Sequence, residues 1–143
     1  MEISVMNKQR KVRFDLAWLR RVANVALAEC ISHSGDGRFA LRQLPMIDVA
    51  VVSDAVIARV HQEFMGVPGA TDVITFDHGE IVVSAETALV CAKQHRHSVE
   101  QELALYVIHG LLHLNGFDDT TRTAKVKMFR VQDRVWRLVM NIE

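Results

Sequence analysis

The sequence predicts an α+β fold: one domain over residues 1–143, with a mixed four-stranded sheet packed against about five helices. Three observations predict it. Short runs rich in β-branched residues and longer runs of helical periodicity share the chain without strict alternation. The length of 143 residues suits one core that folds without staples. No repeat, low-complexity tract or long linker divides the chain.

The elements follow in order. "EISVMN" reads as a first strand. "DLAWLRRVANVALAEC" carries Leu16, Leu19, Val22, Ala23, Ala26 and Leu27 at helical spacing, with Asp15 as the N-cap. "HSGDGR" is a loop. Pro45 opens "MIDVAVVS", a strand, after which Ser53 or Asp54 caps the helix "AVIARVHQEFM". "GVPGA" breaks that helix, and "TDVITF" and "EIVVS" are strands joined by the turn "DHG". Ser84 caps a helix to about His95. Ser98 and Gln101 form a capping box for a helix that runs through His113 and stops near Asn115, where Gly116 can take positive φ. A last helix fills most of the stretch from Thr121 to Met140, with Phe129, Trp136 and Leu138 among its apolar contacts.

Composition narrows the function classes. Half of the residues are hydrophobic, 24% are charged and the formal net charge is zero. No apolar run reaches the roughly 18 residues of a membrane span, so no membrane partner is expected. The first residues are too polar for a signal peptide, and Cys30 and Cys91 fit no ligand spacing. Both are read as reduced, buried thiols of a cytoplasmic protein. Neutrality argues against gripping nucleic acid with the whole surface. Two local basic patches remain: Lys8 to Arg13, and Arg122, Lys125, Lys127, Arg130, Arg134 and Arg137. Each reads equally well as solvated surface charge.

The sharpest motif is "HGLLHLNGFDD", His109 to Asp119. Residues four apart on a helix share a face, so His109 and His113 can aim at one point. Apolar neighbours offer buried imidazoles no hydrogen-bond partner, and a metal would satisfy both. Reversal at Gly116 brings Asp118 or Asp119 back towards the pair. Two histidines and a carboxylate, with one position open, make a catalytic zinc arrangement at the end of the central helix. The residue after His109 is Gly110, where H-E-x-x-H enzymes carry a general base, so peptide hydrolysis of that type is disfavoured. Gly110 costs a helix about 1 kcal/mol against alanine. It either permits a close helix crossing or makes room for substrate.

This stretch resembles the H-G-x-L-H-L-x-G-Y-D-H signature of the YbeY family of rRNA-maturation endoribonucleases. "TDVITF", "GEIVVS" and "SVEQELALYVIHG" resemble the family's T-D-V-L-S-F segment, its G-D-I-x-I-S strand and the run into its metal helix. The resemblance covers roughly residues 45 to 119 by motif and the remainder by layout. It implies one bound Zn2+ per chain (or another divalent metal), held by His109, His113 and Asp119. It also implies a cytoplasmic location, and as partners single-stranded rRNA and the small ribosomal subunit or its precursors. Two positions depart from the pattern. Asp119 stands where the family has a histidine, and aspartate is a competent zinc ligand. Met65, after Phe64, stands where the family has an arginine expected to hold phosphate or stabilise developing charge.

The remaining roles are weighed on position. Asp118 is the candidate catalytic base or an alternative ligand. Gly110, Thr71 and Asp72 are candidates to line the substrate site, although Thr71 and Asp72 can equally cap their strand. Glu102, seven before His109, reads as a surface or salt-bridging residue, or else as an acceptor for a ligand imidazole. His95 and His97 read as solvated. Three functions follow: the metal-dependent endoribonuclease, a ribosome-assembly binding factor with a structural metal, and a metal-dependent hydrolase of another substrate.

Overall fold

The computed structural model describes residues 1–141. Strands β1 (Ile3–Asn7), β2 (Ile47–Val52), β3 (Val73–Phe76) and β4 (Glu80–Ser84) form one sheet in the order β1-β2-β4-β3. The β1–β2 and β2–β4 pairs are parallel, and β3 runs antiparallel to β4 at the edge. The helices of the α+β fold are α1 (Leu16–Ile31), α2 (Asp54–Met65), α3 (Ala85–His95), α4 (Val99–Leu114) and α5 (Arg122–Met140). A short 3-10 turn, Leu41–Gln43, precedes β2.

Local chemistry sets the helix starts. The side chains of Asp15, Ser53, Ser84, Ser98 and Thr121 each accept from a backbone N–H in the first turn of the helix they precede. Ser98 and Gln101 complete a capping box. Gly66 ends α2 with a φ of 66°. Each such cap is worth about 1 kcal/mol.

The sheet is covered on both faces, which is why β2 reads as a nearly unbroken apolar run. Val49 and Val51 of β2, with Ile81 and Val83 of β4, face α1, α3, α4 and α5 in the main core. Ala50, Val52 and Val82 face α2 and Ile57 in a smaller one. Leu103, Val107, Ile108, Leu111 and Leu112 bury α4 at the centre of the larger core. Truncating one of them to alanine would cost about 2–5 kcal/mol.

Three expectations about packing are corrected. Helix α5 buries Met128, Gln132, Val135 and Val139, whereas Phe129 and Leu138 are 42% and 45% exposed. The helix is rotated so that a glutamine takes a core position. Trp136 does pack on the core, and its Nε1–H donates to the Gln101 carbonyl. Cys30 is buried, and burial pushes its thiol up to about 12, but Cys91 is only half-buried. No helix among the described residues is long and apolar enough to cross a membrane.

Candidate active site

Helix α4 carries the site. His109 and His113 lie one turn apart near its C-terminal end, both half-buried. The His109 Nδ1–H donates to Gln132 Oε1 of α5 across 2.7 Å. An amide oxygen only accepts, so the proton sits on Nδ1 and the lone pair of Nε2 is left free. That is the arrangement in which an outer partner orients a metal-binding imidazole. The His113 ring packs 6.4 Å from the Phe39 ring.

The turn after α4 is built backbone against backbone. Gly116 has a φ of 97°, and a Cβ there would meet the Gly37 carbonyl oxygen at 3.0 Å. Gly35 N–H donates to the Asn115 carbonyl and Gly37 N–H to that of Gly116. Buried Asn115 donates to the carbonyls of Cys30 and His33 and accepts from Leu41 N–H. The loop between α1 and β2 therefore clamps the turn that sets Asp118 and Asp119 relative to the two histidines.

One cavity of about 480 Å³ opens beside α4. His109, Asp119, Thr71 and Asp72 line it together, and Phe129, Gln132 and Tyr106 complete much of its wall. Thr71 and Asp72 also serve the strand: Asp72 Oδ1 accepts from Val73 N–H at 2.8 Å, and its carbonyl accepts from Ser84 N–H. Asp119 is exposed at the cavity edge. Asp118 turns to Thr120, whose backbone N–H and hydroxyl both donate to Oδ1. Those bonds, with His113 nearby, hold its carboxyl below the usual range and make it a weak base.

Gly110 does not line the cavity. It is buried against β4, where a Cβ would stand 2.8 Å from Ile81 Cδ1. Its lack of a side chain serves the approach of α4 to the sheet and not room for substrate. Met65 lies exposed at the end of α2, outside the cavity wall. Of the basic patches, Lys125 sits 5.7 Å over the Phe129 ring at the cavity, and Lys127 pairs with Asp36. Lys8 lines a different cavity, with Val52, Phe64 and Phe76 on the α2 side of the sheet.

A second group was missed by the sequence reading. Glu102 is 2% exposed, so of its two readings the salt-bridging one holds and the surface one does not: its Oε1 lies 3.1 Å from His95 Nδ1 and 2.5 Å from His97 Nε2. His97 is not solvated: it packs 5.4 Å from the Trp136 ring. His95, Glu102 and Tyr106 line the same cavity as His109. The His95–His97–Glu102 group can hold a metal ion. The spacing H-x-H followed five residues later by glutamate was its only sequence signal, and that spacing fits no common ligand pattern.

Comparison with known proteins bears on the family and the fold. The family model described as Endoribonuclease YbeY matches residues 4–139. The Endoribonuclease YbeY of Micrococcus luteus is 34% identical over 103 residues, which span 61% of this chain and 66% of that protein. That of Bdellovibrio bacteriovorus is 27% identical over 150 aligned positions, covering 98% of this chain and 96% of its own. A Thermotoga maritima protein solved in solution superposes with a TM-score of 0.64 at 25% identity, over 96% of this chain and 88% of that one. The motif on α4, the four-stranded sheet around it and a family match along nearly the whole length lead to one assignment: the chain belongs to the YbeY endoribonuclease family.

Proposed function

We propose that this protein is a metal-dependent endoribonuclease that acts on single-stranded rRNA during ribosome maturation, in the cytoplasm, with the small ribosomal subunit or its precursors as partner. The single observation that supports the reading best is the His109–Gln132 pair. It frees Nε2 on the helix face shared with His113, beside a cavity that Asp119 also lines. His109, His113 and Asp119 would hold the ion, and their mixed nitrogen and oxygen donors suit Zn2+. When bound, such an ion acts as a Lewis acid on a phosphoryl oxygen and lowers the pKa of water.

The protein's own residues supply the rest. Gln132 fixes the His109 ring, and the Asn115–Gly116 clamp fixes the turn bearing Asp119. Phe129 offers a ring at the cavity on which a base can stack, and Lys125 above it supplies positive charge for the backbone. Asp118 is a poor choice for the proton acceptor, because Thr120 already occupies its Oδ1. With Met65 where an arginine was expected, we assign the phosphate to Lys125, which lies over the Phe129 ring of the cavity wall.

Cleavage of a single-stranded RNA by metal-loaded and chelated protein tests this reading. Cleavage that requires metal and is lost in His109→Ala supports it. Binding without cleavage would favour an assembly factor with a structural metal, and absence of RNA affinity a hydrolase of another substrate.

A further inference from the structure

We infer that His95, His97 and Glu102 form a second divalent-cation site, separate from the His109 site and occupied alongside it, which clips the end of α3 to α4. The donors are two imidazoles and one carboxylate, a set suited to zinc and similar first-row ions. Their ligand atoms all lie within 4.8 Å of one another. Ligands about 2.1 Å from a tetrahedral ion stand about 3.4 Å apart. The His95–Glu102 separation of 3.1 Å already fits, and His97 needs to withdraw by less than about 1 Å from its present 2.5 Å.

Three further features point to this corner as a built site. Arg96, between the two histidines, is the only non-glycine residue at positive φ among the described residues, at 60°. A left-handed turn at an ordinary residue costs about 1 kcal/mol, and here it bends the chain so that both imidazoles reach one carboxylate. Glu102 is a buried carboxylate whose Oε1 lies within hydrogen-bond reach of both rings. Tyr106, one turn further along α4, is buried with a hydroxyl that has no partner among the described residues, and it lines the cavity beside His95 and Glu102. A water or anion on the open position of an ion held there is the partner that hydroxyl lacks.

The two sites are distinct. Glu102 and His109 are seven residues apart on one helix, about 10 Å of rise. Ions that share a bridging ligand stand about 4 Å apart. This corner therefore holds an ion of its own, about two helical turns along α4 from His109.

Zinc equivalents per chain, counted by elemental analysis after dialysis against zinc, test the inference. The parent is expected to bind about two, and His95→Gln with His97→Gln about one, with circular dichroism unchanged. The His109→Ala, His113→Ala variant is expected to keep the equivalent that the first variant loses. Should the double glutamine variant misfold, His95→Gln alone is used, because His95 is half-exposed; zinc binding at its corner should weaken at least tenfold by chelator competition. A glutamine variant that binds as much zinc as the parent, with equal affinity, overturns the inference. That result would leave the ion at His109 untouched, so the two readings fail separately.

Discussion

His109 on α4 is bound through Nδ1 to Gln132 on α5, 23 positions later in the chain, at 2.7 Å. The contact selects the tautomer of one candidate ligand and explains why a glutamine occupies a core position of an otherwise apolar helix face.

Removing that amide should weaken the ion without removing a ligand. Gln132→Leu keeps the volume but leaves the Nδ1–H unpaired. Zinc affinity is expected to fall about 10–100-fold, the usual effect of losing such an outer partner. Gln132→Glu, which still accepts, should restore most of it. Chelator competition reads both, and equal affinity for Gln132→Leu and the parent would disprove the role.

Gly110 gives a packing prediction. Alanine there gains about 1 kcal/mol of helix propensity but pushes a Cβ to 2.8 Å from Ile81 Cδ1. Ile81 is fully buried in β4 and has little room to move. Overpacking of this kind costs about 1–3 kcal/mol, so Gly110→Ala should be net destabilising. Adding Ile81→Val should recover part of the loss in denaturant melts. A gain in stability for Gly110→Ala alone would refute the account.

The two neighbouring carboxylates can be told apart by metal affinity. Asp119 lines the cavity with His109, whereas Asp118 is tied to Thr120. Asp119→Ala should lose affinity for zinc at the His109 site, and Asp118→Ala should keep it. Asp119→His should retain the ion and shift the pH–rate profile to lower pH. A neutral ligand leaves more positive charge at the metal to acidify water. Tighter binding in Asp119→Ala than in Asp118→Ala would reassign the ligand.

Alkaline stability should carry the mark of Cys30. Burial raises its thiol from 9.0 to about 12. The folded protein therefore holds a proton that the unfolded chain releases at lower pH. The stabilising contribution is complete below about pH 9 and is lost as pH rises from 9 towards 12. Cys30→Ala, although less stable at neutral pH, should lose stability less steeply over that interval. Parallel curves would argue against a buried neutral thiol.

Charge at the cavity should show in salt dependence. Each phosphate neutralised on a single strand contributes about 0.7 to the slope of log affinity against log salt. Lys125→Ala should lower the slope by about that amount, because Lys125 lies over Phe129 at the cavity. Lys127→Ala should change it less, since Asp36 already pairs with that lysine. Filter binding at several salt concentrations compares them, and equal effects would return both to solvated surface.

The sequence by itself determined the elements and their ends, because those depend on neighbours. Asp15, Ser84, Ser98 with Gln101, and Gly116 act on groups within a few residues, and the period of apolar positions marks each helix. The same local logic put His109 and His113 on one face. Tertiary structure alone decided what those faces meet. It turned α5 so that Gln132 reaches His109 while Phe129 faces the cavity. It set Gly110 against Ile81, 29 positions earlier. It also buried Glu102 and gathered His95 and His97 around it, where its position in the sequence allowed a surface residue or a salt-bridging one. A buried carboxylate or amide is stable only where a partner satisfies it. For Gln132 that partner is 23 positions away, and for Glu102 it is five and seven residues back across a helix junction whose turn the local sequence does not fix.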